Sequence, residues 1–345
     1  MKAMIGMSGG VDSSVAAWLT AQAGYDCIGA TMLLHISDGN DADDARNVAD
    51  RMGIPFHIFD FSEAFCQIVK DGFVRSYEQG LTPNPCVTCN RHLKFDAFLR
   101  KAQELGCDKI VTGHYAQIGQ DEAGRYLLQK AADLQKDQTY FLYSLTQEQL
   151  AHTLFPLGGL TKQAARQIAQ EQGFINAKKR DSQDICFVPD GDYLAFMERY
   201  TGKKYPAGHF LDQRGNIVGK HKGAVSYTIG QRKGLGLAMG APVYVCSKDM
   251  QANTVTVGPN EALFHTTLIA DDWNWIAIES LTAPIRVKAK ARSRMVEQDA
   301  TVYPIENGLA RVVFDEPQRA ITPGQAVVLY DGDTVVGGGT ILRTE

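Results

Sequence analysis

Over roughly its first 120 residues the chain alternates short apolar runs with amphipathic stretches. Residues 3–7, 25–34, 56–61 and 109–113 read as strands, and 11–23, 45–52, 63–79 and 93–105 as helices. Gly53 and Gly106 stop two of those helices, and Asp41 or Asp43 is placed to cap the one from residue 45. Such alternation predicts a parallel sheet covered on both faces, with ligands beyond the carboxyl ends of its strands. Gly6 to Ser13, Met32 and Gly113-His114 fall at those ends, so three separated segments converge on one mouth. Further on, Thr146 and Gln149 form a capping box, Gly173 stops a helix over 161–172, and 193–200 is helical. From about Tyr205 the periodicity drops towards two, and β-branched residues cluster at 253–257, 285–289, 311–314 and 326–330. The expected organisation is an α/β domain with a helical extension over 1–202, a small central β-rich module over 203–265 and a C-terminal β-barrel over 266–345.

The first strand runs into Gly6-Met7-Ser8-Gly9-Gly10-Val11-Asp12-Ser13-Ser14 and then into a helix. Gly9 and Gly10 allow positive φ and close backbone approach. The helix start offers free N–H groups and a positive dipole end, Ser8, Ser13 and Ser14 add hydroxyls, and Asp12 can hold Mg²⁺ against phosphate oxygens. This is a phosphate cradle without the lysine of the commoner GxxxxGK[ST] loop. Ser-Gly-Gly-x-Asp-Ser-Ser resembles the signature of the PP-loop ATP pyrophosphatases, which cleave ATP between its α and β phosphates and leave AMP on a substrate oxygen.

Composition narrows the classes. The 345 residues leave room for two or three domains, and 44% hydrophobic with 21% charged residues suits a soluble globular protein. No apolar run is long enough to span a bilayer, and no secretory signal opens the chain. Seven cysteines, an odd number, argue for a reducing, cytoplasmic compartment and for thiol chemistry. A net charge of −4 means that any nucleic-acid site must be a local basic patch. Lys288, Lys290, Arg292 and Arg294 alternate in a strand pattern and supply one, and Gly230-Gln231-Arg232-Lys233-Gly234 is a basic loop suited to phosphates.

Two cysteine-bearing segments stand out. Thr82-Pro83-Asn84-Pro85-Cys86-Val87-Thr88-Cys89-Asn90 reads as a rigid loop placing Cys89 near a helix start, where the dipole favours a thiolate. Lys179-Arg180-Asp181-Ser182-Gln183-Asp184-Ile185-Cys186-Phe187 sets Cys186 among basic residues, with Lys178, Lys179 and Arg180 expected to depress its pKa. Cys27, Cys66, Cys107 and Cys246 lie in ordinary strand or helix patterns, and no second CxxC or HxxxH completes a zinc set.

Together with the PP-loop, these segments resemble the tRNA-specific 2-thiouridylase family. So do Thr112-Gly113-His114-Tyr115-Ala116, Lys136-Asp137-Gln138-Thr139-Tyr140-Phe141, Tyr227 to Gly236 and Thr322-Pro323-Gly324-Gln325, so the resemblance covers the whole chain. It implies ATP-dependent 2-thiolation of the wobble uridine of tRNAs for Glu, Gln and Lys. The C2 oxygen is adenylated, then sulfur is delivered from a persulfide on Cys186, loaded by a sulfur-carrier protein or desulfurase and aided by Cys89. On this reading Gly6 to Ser13, Met32 and Gly113 bind ATP, and Asp12, Cys89 and Cys186 are catalytic. Asn84, Pro85, Cys86, His114, Lys136, Asp137, Gln138, Arg292, Ser293 and Gln325 face tRNA. Cys86 stands where many members carry an Asp proposed as general base. A variant places a [4Fe–4S] cluster on Cys86, Cys89 and Cys186. A monomer or weak oligomer is expected. Two rivals remain: a PP-loop synthetase that adds an amine to an adenylated small molecule, and a non-catalytic RNA- or Fe–S-binding protein that holds ATP structurally.

Overall fold

The computed structural model describes residues 1–34, 41–177, 179 and 185–345. His35, Lys178, Arg180 and the Asp181-Ser182-Gln183-Asp184 part of the distal motif lie outside them. The strands of the first domain are β1 (Lys2–Gly6), β2 (Asp26–Leu33), β3 (Phe56–Asp60), β4 (Lys109–Val111), β5 (Gln117–Gln120), β6 (Tyr126–Gln129) and β7 (Thr153–Leu154). A parallel sheet runs in the order β3-β2-β1-β4-β7. The chain leaves β1 towards β2 and β3, then returns to place β4 on β1's other side. The crevice at the carboxyl ends of β1 and β4 is therefore the switch point where α/β sheets hold ligands. Buried runs in β1 (Ala3 to Gly6) and β2 (Cys27 to Thr31) show why these strands read as continuously apolar: helices cover both faces.

The helices Val11–Gln22, Lys162–Glu171 and Tyr193–Thr201 fall where their periodicity places them, and the capping box of Thr146 with Gln149 is formed. Two boundaries move. The acidic helix spans Asp41–Met52, so Asp41 and Asp43 lie in its first turn and cap no helix beginning at residue 45. The helix expected from residue 93 begins at Pro85, runs as Pro85–Cys89, widens into a π-helix over Asn90–Ala97 and ends with Phe98–Glu104. Two prolines read as a rigid loop, but proline at the first helical position has lost only an N–H that would be unpaired anyway.

A central sheet of β8 (Gly208–Leu211), β9 (Ile217–His221), β10 (Tyr244–Asp249) and β11 (Thr254–Gly258) runs in the order β10-β11-β8-β9. The C-terminal strands are β12 (Phe264–Trp275), β13 (Ile285–Lys290), β14 (Gln298–Pro304), β15 (Ala310–Arg319), β16 (Ala326–Asp331) and β17 (Thr334–Thr344). They pair in the order β12-β15-β14-β13-β16-β17, and β17 pairs back on β12 to close a barrel. The β5–β6 hairpin, which no sequence pattern announced, joins that sheet through Thr334 opposite Gln129.

The barrel is not a loose appendage. One buried cluster contains Met4, Phe98 and Tyr140 from the first domain with Ala326, Val328 and Tyr330 from the barrel. Polar ties reinforce it. The Arg91 guanidinium pairs with Asp272, and Asn274 Nδ2 donates to the Tyr143 and Leu145 carbonyls at 2.7 and 2.9 Å.

Candidate active site

The loop after β1 is shaped by what its neighbours forbid. Gly9 has φ +69°, and a Cβ there would lie 2.3 Å from the Asp41 carbonyl oxygen, so only glycine fits. Gly10, at φ −92°, is in ordinary extended backbone and acts as N-cap of the helix Val11–Gln22, so positive φ is needed only at Gly9. Ser8 is exposed at the mouth, while Ser13 and Ser14 are buried and donate to the Gly10 carbonyl at 3.1 and 3.0 Å. Their hydroxyls therefore build the loop and are not free donors to a ligand. Asn176 Nδ2 braces it from outside, donating to the Gly9 and Gly10 carbonyls at 3.1 and 3.2 Å and to Ser14 Oγ at 2.9 Å. Gly113, at the end of β4, backs against the loop so closely that a Cβ would sit 2.7 Å from Asp12 C and Ser13 N.

The lysines absent from the loop come from elsewhere. Lys162 Nζ donates to both Asp12 carboxylate oxygens at 2.8 Å, and Tyr115 Oη donates to Asp12 Oδ1 at 2.9 Å. Asp12 is thus committed to an ammonium and a phenol and orients a cation; it is not a vacant Mg²⁺ ligand here. Lys179 Nζ contacts the Gly9 carbonyl at 3.3 Å and pairs with Asp41 and Asp44 at 2.7 and 2.8 Å. That engagement turns Lys179 towards the acidic helix, away from its expected service to Cys186. Lys162 and Asn176 escaped the sequence reading because nothing local marks them, and Tyr115 stood out only as part of the Thr112 to Ala116 segment, with no role; the fold brings all three to the loop.

Met32 is half-buried near the end of β2, at the mouth. His114 Nδ1 and Thr112 Oγ1 share a hydrogen bond at 2.8 Å, and the imidazole packs on Phe95 and Phe155 at 5.6 and 6.0 Å. Burial, aided by Lys94, pushes its pKa well below the usual histidine range, so the ring is neutral near pH 7.

The cysteines converge. Cys86 lies in the first turn of the helix whose N-cap is Asn84 and whose first residue is the buried Pro85, while Cys89 closes that short segment. Cys89 is 6% exposed within an apolar cluster that also holds Phe65, Phe73, Leu93, Phe187 and Val188. Phe187 locks the distal turn into this cluster by ring contacts with Phe65, Phe73 and Phe196 at 5.7, 5.3 and 5.1 Å. Cys186, one residue earlier, is left exposed, as is Cys86. Burial raises the Cys89 thiol to about 11, with Lys94 opposing and charge on Cys186 and Cys86 adding to the rise. Cys86 and Cys186 are also raised, mainly because surrounding protein displaces water, and charge on Cys86 adds to the rise at Cys186. Two expectations fail here. The helix starts before Cys89, so no dipole end faces it, and Cys186 is not activated by Lys179. The cation that opposes the rise at all three thiols is Lys94, in the π-helix five residues after Cys89.

Among the described residues, no group of three or more His, Cys, Asp or Glu side chains is arranged to hold a metal ion. Cys86, Cys89 and Cys186 therefore do not form a ready-made ligand set as placed, and the expected [4Fe–4S] arrangement is not assembled here.

The residues expected to face tRNA divide into framework and surface. Asp137 accepts from Thr139 Oγ1 at 2.6 Å and from Ala131 N at 3.1 Å, its carboxyl raised by burial despite those bonds. Gln138 exchanges hydrogen bonds with Tyr115, both at 2.9 Å, and Lys136 is half-buried beside them. Strand β13 ends at Lys290, so the expected alternation through Arg294 breaks: Arg292 sits beyond the strand, bonding Ile229 O at 3.1 Å and Thr322 Oγ1 at 2.5 Å. Burial lowers its pKa, with Arg319 adding. Ser293 is half-buried in the turn that follows. Gln325 Nε2 donates to Thr82 O at 2.9 Å, clamping the cysteine loop to the barrel. Arg232, Lys233, Lys288 and Arg294 are exposed.

Residues 1–190 match the family described as the tRNA methyl transferase HUP domain, 194–259 the PRC-barrel domain of that series and 265–341 the aminomethyltransferase beta-barrel domain. The tRNA-specific 2-thiouridylase MnmA of Clostridioides difficile is 51% identical over 99% of this chain and 98% of that protein. Its namesakes in Symbiobacterium thermophilum and Acetivibrio thermocellus are each 50% identical over 99% of this chain and 92% and 99% of theirs. Among solved structures, the U34-tRNA thiolase NcsA from Methanococcus maripaludis with its [4Fe-4S] cluster aligns over 59% of this chain and 64% of its own, at 19% identity. The TM-score of 0.37 is too low for that likeness to bear on the site. With half its residues shared with relatives over nearly their whole length and its own, the chain belongs to the tRNA-specific 2-thiouridylase family.

Proposed function

We propose that this protein uses ATP to adenylate the C2 oxygen of the wobble uridine in tRNAs of the Glu, Gln and Lys type, and then replaces that oxygen with sulfur. The observation that carries the reading is the meeting of two distant cysteine-bearing segments: Cys89 packs in the aromatic cluster that also takes Ile185 and Phe187, the residues on either side of Cys186. Methyl transfer, the chemistry in the family description, has no use for such a pair. An amine-adding synthetase has none either.

The chain's own groups suit each step. The helix N–H groups after Gly10 and the Lys162 ammonium receive the phosphates, with Asp12 and Tyr115 fixing where that ammonium points. Magnesium, when bound with ATP, would neutralise phosphate charge, and Asp12 would be the loop residue to hold it, with Lys162 then turning to phosphate. Neutral His114 neither repels nor takes a proton at the mouth. Adenylation turns the C2 oxygen into a leaving group, and a persulfide on exposed Cys186, loaded by a sulfur carrier or desulfurase, supplies the sulfur. Lys94 stabilises the thiolates as they form. Residues 266–345, with Arg232 and Lys233 of the central module, offer exposed cations to tRNA phosphates. A cytoplasmic setting supplies both tRNA and reductant. Among the described residues, no helix is long and apolar enough to cross a membrane.

Pyrophosphate release tests this reading against an RNA-binding protein that merely holds ATP. Release should require tRNA and ATP together, and its absence with both present would defeat the proposal.

A further inference from the structure

The helix Pro85–Cys89 is too short to fix its own direction. Its N-cap, Asn84, makes no side-chain hydrogen bond to the first turn, so the entry needs support from outside. A turn of the barrel, 322–325, supplies it. The Thr82 N–H donates to the Pro323 carbonyl at 2.9 Å, and Gln325 Nε2 donates to the Thr82 and Pro83 carbonyls at 2.9 and 3.4 Å. Gly324, at φ +88°, lies between these bonds, so close to the segment that a Cβ would sit 2.9 Å from Thr82 N and 3.0 Å from Leu81 Cβ. The turn is itself anchored. The Gly324 N–H donates to the Ile341 carbonyl and the Ile341 N–H to that of Gln325, both at 2.8 Å. Thr322 Oγ1 donates to the Ala320 carbonyl at 2.9 Å and accepts from Arg292. With two carbonyls in reach, both Nε2 protons of Gln325 are taken up by the cysteine segment, which leaves the amide no donor for a phosphate.

We infer that this turn positions the cysteine helix for sulfur transfer, and that Gln325 is a positioning residue acting through Thr82, not an RNA contact. The inference rests on the proposed reading that this helix lies where sulfur meets the activated uridine. The phosphate cradle is braced by Asn176 and Gly113 inside the first domain, whereas the helix that carries Cys86 and Cys89 is aligned from the barrel. The two halves of the site therefore take their alignment from different domains. Without the Gln325 donor, the Thr82 and Pro83 carbonyls turn to water, and Thr82 keeps one of the two bonds that set the helix entry. Reacting groups then lose their alignment while the surface cations that hold RNA phosphates stay where they are.

Gln325→Met tests this, since it keeps the length of the side chain and removes its donors. In RNA-free, full-length protein, amide hydrogen exchange over residues 82–90 should speed up relative to wild type. In a single turnover with saturating tRNA, ATP and a persulfide donor, 2-thiouridine should form about tenfold or more slowly, while the Kd for tRNA stays within about twofold of wild type. Gly324→Ala, which drives a methyl group into the Thr82 backbone, should change exchange and rate in the same direction. A weakened tRNA Kd with the saturated rate unchanged in Gln325→Met would make Gln325 an RNA contact and overturn the inference. Unchanged exchange over 82–90 overturns it as well. Absence of 2-thiouridine from the wild-type reaction counts against the proposed function, and the exchange measurement, which uses no RNA, then still decides whether the turn holds the helix.

Discussion

Replacing Gly113 by alanine adds one methyl group at the tightest contact behind the phosphate cradle. Its φ is not positive, so backbone strain contributes nothing and the effect is steric. The added Cβ would lie 2.7 Å from Asp12 C and Ser13 N and 3.0 Å from Asp12 Cβ, against 3.4–4 Å for ordinary contact. Two of those three atoms are backbone, so either the strand end or the loop must retreat by most of an ångström. Overpacking of this kind costs about 1–3 kcal/mol, and at roughly 2–4 °C per kcal/mol the Tm falls by several degrees. The loop's retreat also carries its N–H groups and Asp12 away from the phosphates, so ATP affinity falls about tenfold or more, since ~1.4 kcal/mol is a factor of ten. Gly72→Ala is the control: it lies inside the helix Asp71–Glu78 with nothing within 4 Å, so alanine there stabilises by about 0.5–1 kcal/mol. Urea denaturation and calorimetric ATP titration of both variants measure the effects. If Gly113→Ala matches wild type in stability and affinity, the packing account of the cradle is wrong.

Two further substitutions probe groups the sequence did not mark. Lys162→Met leaves the Asp12 carboxylate with Tyr115 alone at a site where Lys162 is 12% exposed; ATP titration should show at least a tenfold weaker Kd, and denaturation a loss of about 1–3 kcal/mol. Lys248 Nζ is buried with no hydrogen-bond partner, 5.9 Å from the Tyr77 ring, and burial lowers its pKa to about 8. The unfolded chain, with a lysine pKa of about 10.4, binds the proton more tightly. The penalty is therefore full below about pH 8 and fades as pH rises towards 10. Lys248→Met should stabilise the protein by up to about 3 kcal/mol near pH 7 and abolish the rise in stability between about pH 8 and 10, followed by urea denaturation across that range.

The opening strand, loop and helix were legible because the apolar run, the paired glycines and the helical period agree over a dozen consecutive residues. The parallel sheet followed from the same alternation, and the two cysteine segments announced the site. What escaped depends on distance along the chain. Lys162, Asn176 and Tyr115 reach the loop from more than a hundred residues away, and Lys94, inside the π-helix after Cys89, acts on Cys186 from the other end of the chain's first domain. The helix start at Pro85 was hidden by reading prolines as loop markers when one of them occupied the first helical position. Arg292 looked like one of a stripe of strand cations, but β13 ends two residues earlier and its guanidinium ties the barrel to the central module. The β5–β6 hairpin is too short and polar to show a period of two, and it is held by the barrel edge it joins.

The central claim is that ATP is spent on the uridine oxygen so that sulfur can displace it. A tRNA carrying a heavy-oxygen label at C2 of the wobble uridine tests it directly, in a single turnover with ATP, Mg²⁺ and a persulfide donor. The account predicts that the label leaves on AMP, that pyrophosphate is released, and that digested RNA contains 2-thiouridine. Label retained in the RNA, or AMP formed without it, would contradict the account.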